Sequence, residues 1–133
     1  MEILLYKNRY FDDIYSVVHN TIEEIYPKYN PRKAVDFFHN YHSKENMIKN
    51  LLKEYTKIIL ENGKIIGTGS ANENEIGRFF ILSEYHNRGY GKLLLKELET
   101  EIIRKNYKSI TLSSSLGAVF FIKIMVISIM NTK

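Results

Sequence analysis

The residues with the clearest chemical meaning form one run, Ser83-Glu84-Tyr85-His86-Asn87-Arg88-Gly89-Tyr90-Gly91-Lys92. It lies between an apolar stretch ending at Leu82 and an amphipathic one beginning near Gly91. Two glycines one residue apart at a helix start let the backbone approach a ligand without Cβ interference. The open N–H groups of a first helical turn, with the helix dipole, favour an anion there. Arg88 and Lys92 add positive charge at the same place. This is the chemistry of a phosphate or pyrophosphate cradle, with a plain tight turn as the alternative. A dinucleotide fingerprint is excluded because a third glycine is missing and the preceding strands read as antiparallel. A P-loop is excluded for want of Gly-x-x-x-x-Gly-Lys-Ser/Thr.

Other reactive groups are sparse. The chain has no cysteine, which rules out disulfides, thiolate zinc sites and cysteine nucleophiles. No Ser/His/Asp constellation is evident. His39 and His42, three apart on a predicted helix, share a face and read as surface histidines rather than a metal pair, so no metal site is expected. Glu75, with Glu73 just before it, is either a solvated turn carboxylate or a general base.

The formal charge of +4 is local. From Ile102 to Lys133 there is no Asp or Glu but there are Arg104, Lys105, Lys108, Lys123 and Lys133. Without them the remaining 14 basic residues face 15 acidic ones. A general nucleic-acid surface is therefore not expected, and a local patch for a small polyanion is. No apolar run is long enough for a membrane span, and the start lacks a basic segment followed by a long apolar one. A cytoplasmic protein without a signal peptide is the expectation.

At 133 residues, 44% hydrophobic and 26% charged, the chain has the makings of one globular domain over 1–133. Residues 2–6 suit a first strand. Ile14, Val17, Val18, Ile22 and Ile25 mark a helix over 12–26, stopped by Pro27. Pro31 suits the first turn of a second helix carrying Val35, Phe38 and Tyr41, and Ser43 can begin a short third. The aromatics Tyr26, Tyr29, Phe37, Phe38 and Tyr41 read mostly as core. Tyr55–Leu60 and Lys64–Ala71 flank Asn62-Gly63, a strong hairpin signal, and Glu75–Leu82 follows the turn at Asn72-Glu73-Asn74. A helix from about Gly91 to Lys105 buries Leu94, Leu95, Leu98 and Ile102, with Lys92, Lys96, Glu97, Glu99 and Glu101 on its wet side. Ser109–Ser113 then lies parallel to the strand before that helix. The order β-α-α-β-β-β-α-β gives an α+β sandwich, a mixed but mainly antiparallel sheet flanked by helices.

Three segments together carry a resemblance: Gly63-Lys64-Ile65-Ile66-Gly67-Thr68-Gly69, Arg78-Phe79-Phe80-Ile81, and His86-Asn87-Arg88-Gly89-Tyr90-Gly91-Lys92-Leu93-Leu94. The chain resembles the GCN5-related N-acetyltransferase (GNAT) family, whose fingerprint is Gln/Arg-x-x-Gly-x-Gly/Ala. His86 stands where Gln or Arg is usual, and Ser83 where Pro is common. The resemblance implies acetyl-CoA as acetyl donor and a primary amine of a small molecule or peptide as acceptor. It implies that N–H groups of Asn87 to Gly91 hold the pyrophosphate, with His86 and Lys92 alongside and Ser114 beyond the following strand. It implies that the strand edge at Phe80 and Ile81 pairs with the pantetheine arm and that an N–H near Ile81 stabilises the oxyanion. Glu75 is then the candidate base. A catalytically impaired acetyl-CoA-binding domain is the second reading, and a basic nucleic-acid-binding module the third, which the charge distribution disfavours.

The tail departs from the family. Ser113 to Phe121 follows its pattern, but Ile122 stands where the Tyr that often protonates the leaving thiolate belongs, and a Gly-Phe turn is missing. The atypical tail, 119–133, leaves the fold without its usual last two strands, and the bared sheet edge favours a homodimer. The wealth of Ile, Lys, Asn and Tyr points to AT-rich codons. Back-translated with such codons from Phe120 and read two nucleotides along, the tail becomes Phe-Tyr-Lys-Asn-Tyr-Gly-Tyr, the family pattern restored. The expectation is a one-nucleotide loss in a T-rich run near codon 120. Resequencing the gene tests this: the run and a continuing second frame are expected, and their absence refutes it.

Overall fold

The computed structural model describes residues 1–112. Ser114, the end of the expected last strand and the atypical tail lie outside the described residues. The elements are β1 (Glu2–Leu5), α1 (Phe11–Ile25), α2 (Arg32–Tyr41), α3 (Lys44–Leu51), β2 (Tyr55–Glu61), β3 (Lys64–Asn72), β4 (Glu75–Ile81), α4 (Tyr90–Arg104) and β5 (Thr111–Leu112). The short third helix is present, so three helices rather than two precede β2. Its start is set by Ser43, whose Oγ accepts from the Asn46 N–H at 3.2 Å. Asp12 and Asp13 occupy the first turn of α1, where the helix dipole favours them.

The sheet runs in the order β1-β2-β3-β4-β5. The first four strands are antiparallel neighbours, and β5 joins β4 in parallel through Glu75↔Thr111 and Ile76↔Leu112. The β2–β3 hairpin turns at Asn62 (φ 50°) and Gly63 (φ 77°), the pair of left-handed residues that matches the twist of its strands. Successive side chains face opposite sides, so Ile58 points to the α1–α3 layer and Ile59 to α4. One core joins Ile14, Val18, Ile22, Val35, Met47 and Leu51 to Ile58 and Phe80. The other joins Leu94, Leu95, Leu98 and Ile102 to Ile59, Ile66, Ile76, Phe79 and Ile81. Glu99, expected on the wet side of α4, is buried instead, because this helix meets the sheet over a face wider than its leucine stripe.

One strand is irregular. Ser70 pairs with Gly77 and Thr68 with Phe80, so β4 carries one residue more than β3 over that interval. It is a β-bulge, with Arg78 at φ 46°, a left-handed backbone that arginine rarely adopts. Gly69, opposite the bulge, has no room for a side chain. A Cβ there would sit 2.9 Å from Leu98 Cδ1, 3.1 Å from Phe79 Cδ2 and 3.2 Å from Leu94 Cδ2. Gly69→Val is accordingly expected to destabilise the fold by about 1–3 kcal/mol by overpacking. Chemical denaturation of both proteins checks this, and an unchanged midpoint would contradict the packing described.

Candidate functional site

The loop from β4 to α4 has a defined build. Leu82 N–H donates to Ile66 O at 2.9 Å, a short 3-10 turn covers Ser83–Tyr85, and the chain then passes Asn87 at φ 62° and Gly89 at φ 87°. Helix α4 starts at Tyr90, and its first closing bond is Leu93 N–H to Gly89 O at 3.2 Å. The N–H groups of Tyr90, Gly91 and Lys92 are therefore those of a first turn, which a helix leaves open. Before Gly89 the space is clear: a Cβ built there meets nothing within 4 Å. A left-handed glycine and the open N–H groups of a first turn thus stand together at one helix start.

Side chains brace the loop. His86 Nε2–H donates to Ile81 O at 2.7 Å, tying the loop back to the last residue of β4. Arg88 lies over the Tyr85 ring at 5.3 Å, Tyr85 meets Tyr90 edge-on, and Tyr90 donates to Glu61 at 2.5 Å. The Tyr90 side chain thus braces the loop against β2. The hydrogen bond it gives Glu61 raises Tyr90 above the ordinary phenol value and lowers Glu61 below the ordinary carboxylate one. Ser83, at the position where the family favours proline, hydrogen-bonds Glu24 of α1.

A cavity of about 330 Å³ adjoins the loop. Thr21, Ile25, Tyr26 and Tyr29 wall it from the end of α1, and Phe79, Phe80 and Ile81 from β4, with His86 and Asn87 at its rim. Phe80, Ile81, His86 and Asn87, all selected from the sequence, therefore meet in one place. Arg88, Gly89, Gly91 and Lys92 gather at the helix start beside it. The direction of the backbone follows from register. Leu82 N–H bonds to β3, and neighbours alternate along an antiparallel ladder, so the N–H and C=O of Ile81 point to the other edge of β4. His86 occupies that C=O, and among the described residues no strand pairs with this edge beyond Ile76.

Glu75 lies elsewhere. It is exposed at the start of β4 and lines a second, smaller cavity of about 40 Å³ with Tyr41, His42, Glu54, Ser70 and Arg78. Sequence reasoning missed this cluster. The Arg78 side chain is 6% exposed; its Nε–H donates to His42 Nδ1 at 3.1 Å and its Nη1 to Glu54 Oε1 at 3.4 Å. Burial raises the Glu54 carboxyl above its usual range, against the pull of Arg78. The hint in the sequence is the arginine, set in the otherwise apolar run Ile76–Leu82.

The histidines also differ from expectation. His42 is buried rather than on the surface, its ring edge-on to Phe80 at 5.2 Å. His39 meets His19 of α1, not His42, with the two Nδ1 atoms 2.6 Å apart. His19 Nε2–H donates to His42 O at 2.7 Å, and His39 Nε2–H donates to Glu23, which Arg32 also holds. Burial above all lowers His19 below the ordinary imidazole value. Hydrogen bonds from Arg32 and then His39 pull Glu23 down to about 2. This chain ties α1 to the end of α2, where His42 sits. Of the other aromatics, Tyr26 is buried, whereas Tyr29, Phe37 and Tyr41 are exposed rather than core.

Burial, then the charge of Arg78, lowers His42 to about 3. Its unfolded value is about 6.5. Below about pH 6.5 the unfolded chain binds a proton here that the folded chain refuses until near pH 3. Stability from a neutral His42 is therefore full above that range and lost as pH falls, by up to about 1.4 kcal/mol per unit. His42→Gln is expected to be less stable than the parent at pH 7, with the gap closing towards pH 4. Urea unfolding across that range measures it, and a constant gap would show that His42 is not held neutral.

The family model for the Acetyltransferase (GNAT) domain matches residues 25–123. No curated protein matches the chain significantly. Among solved structures, the chain is similar to a GCN5-related N-acetyltransferase from Rhodopseudomonas palustris (TM-score 0.84, 16% identity, covering 92% of this chain and 78% of that one). It is similar to the PaiA N-acetyltransferase from Thermoplasma acidophilum, solved with coenzyme A (TM-score 0.72, 18% identity, 92% and 88% covered). It is also similar to a GNAT family acetyltransferase from Brucella melitensis, solved with acetyl-CoA (TM-score 0.62, 16% identity, 87% and 77% covered). The fold is theirs, and by the match over residues 25–123 the chain belongs to the GNAT acetyltransferase family.

Proposed function

We propose that the protein is an N-acetyltransferase that moves the acetyl group of acetyl-CoA to a primary amine. The observation that carries this reading is adjacency: the loop that runs into the helix start at Gly89–Lys92 lends Ser83, His86 and Asn87 to the wall of the cavity, beside an edge of β4 that no described strand pairs beyond Ile76. A cradle of backbone N–H groups suits a pyrophosphate, and the clear space before Gly89 is what such a group needs. Acetyl-CoA, when bound, supplies a thioester as the acyl source. The chain's own residues supply the rest. Asn87 to Gly91 bind through N–H groups, and Arg88 and Lys92 add charge. Phe80 and Tyr26 exclude water from the arm. The Ile81 N–H, turned outward by register, is the donor available to a carbonyl oxygen on that edge. A carboxylate of the second cavity, where Glu75 and Glu54 both lie, takes the proton from the amine.

The impaired-binder reading keeps the same donor site and rests on Ile122 standing where a tyrosine acid is usual. Thiol release over a panel of amines separates it from the enzyme.

Gly89→Val tests the donor site. A Cβ at this position has no neighbour within 4 Å, so the main effect on folding is backbone strain at φ 87° of about 1–3 kcal/mol. Acetyl-CoA binding by calorimetry is expected to fall at least about tenfold, or about 1.4 kcal/mol. A parent protein that binds no acetyl-CoA would overturn the reading, as would a folded variant that binds it equally well.

A further inference from the structure

The larger cavity carries a polar group that the rest of the fold leaves unused. Thr21, Ile25 and Lys28 line it from α1 and the turn after it, spaced so that they share one helical face. Thr21 is 5% exposed, and its Oγ1 has no hydrogen-bond partner among the described residues. By contrast, Thr56 donates to Leu51 O at 2.9 Å and Thr68 to Lys57 O at 3.1 Å. Thr100 donates to Lys96 O at 2.7 Å, one turn back in its own helix. A buried hydroxyl without a partner weakens a fold, because it has lost water and gained no replacement.

The walls around Thr21 say what would use it. They are the apolar and aromatic side chains of Ile25, Tyr26, Phe80 and Ile81, with Lys28 exposed at the rim. No carboxylate is among the described lining residues, so an ammonium group finds no counter-charge here. Such walls suit a neutral chain with a few hydrogen-bonding groups. A secondary amide is one of these groups, and shut in among apolar side chains its N–H needs an acceptor. The strand edge is already engaged: the Ile81 carbonyl, which faces outward at the end of β4, receives His86 Nε2–H at 2.7 Å. Thr21 Oγ1 is an acceptor with nothing on it, on the α1 wall of the same cavity.

Resting on the acetyltransferase reading, we infer that Thr21 is a binding residue for the donor's arm. Its Oγ1 accepts an amide N–H of the arm, in the role that the Ile81 carbonyl would take if His86 did not hold it. The hydroxyl that weakens the empty protein is then satisfied in the complex. One oxygen thus acts on stability and on donor affinity with opposite signs.

The test is calorimetry on the full chain with two probes: coenzyme A, and phosphoadenosine diphosphate, its nucleotide end without the arm. Thr21→Val puts a methyl in place of the hydroxyl and is expected to weaken coenzyme A binding at least about fivefold. Its affinity for the nucleotide probe is expected to match the parent's. Thr21→Ser, which keeps the oxygen, is expected to bind coenzyme A like the parent. Without ligand, Thr21→Val is expected to unfold at a higher urea concentration than the parent, and saturating coenzyme A is expected to narrow that gap. A Thr21→Val protein that keeps full affinity for coenzyme A overturns the inference, as does an equal loss for both probes or a Thr21→Ser protein as weak as Thr21→Val. So does a Thr21→Val protein that unfolds earlier than the parent without ligand, since the hydroxyl then has a partner within the chain. A parent that binds neither probe would instead overturn the donor-site reading, which tells the two failures apart.

Discussion

One extra residue in β4 organises both faces of the sheet. Side chains on a strand alternate, so an insertion reverses the facing of everything after it. Ile76, before the bulge, packs in the α4 core. A regular strand would send residues 78 and 80 to that same side. With the bulge at Arg78, Phe79 and Ile81 enter the α4 core, and Phe80 crosses to the α1–α3 core. The same slip sets which backbone groups of the strand end face outward, including the Ile81 N–H. It also puts a guanidinium under α2 that a regular strand would have driven into Leu94 and Leu98. Gly69 is the partner of this arrangement, since two residues of β4 pass opposite it and α4 presses on it from above.

Holding an arginine at φ 46° needs anchors elsewhere. His42 and Glu54 provide them from opposite directions, one at the end of α2 and one just before β2. A protonated His42 would offer Arg78 a donor against a donor, so the strut works only while that ring is neutral. The α1–α2 tie acts on the same point, because His19 holds the His42 carbonyl while Glu23 and Arg32 steady His39. The helices over the sheet are thus set in place by polar contacts at α2 and by apolar ones along α1.

Local chemistry made the fold readable. Asn62-Gly63 announces its turn, Ser43 its cap, and the leucines of α4 their stripe. The cradle was readable for the same reason, since its donors belong to the backbone and its left-handed turn to Gly89. The second cavity was not. Arg78 meets His42 across 36 residues and Glu54 across 24, and neither pairing leaves a periodic trace. The run Phe79-Phe80-Ile81 did carry a sign of it. Three adjacent apolar residues after an arginine fit no strict alternation, and either burial on both faces or a slip in register follows. Glu99 and His42 were misjudged by the same route, a polar residue type taken as evidence of exposure.

The contrast between the two cavities has a physical basis. The open helix start is made of backbone N–H groups, so its geometry does not depend on which side chain stands at position 86 provided the loop stays braced. His86 meets that requirement by donating to the Ile81 carbonyl, which fixes the loop to the strand edge it serves. The second cavity is built instead from side chains, Arg78, His42 and Glu54, that meet from three separate elements. The helix start is therefore written in a short local motif, and the second cavity in contacts that exist only after folding. Arg78 joins the two, since the residue that holds Glu54 is the one at whose bulge Phe80 and Ile81 turn to their places beside the larger cavity.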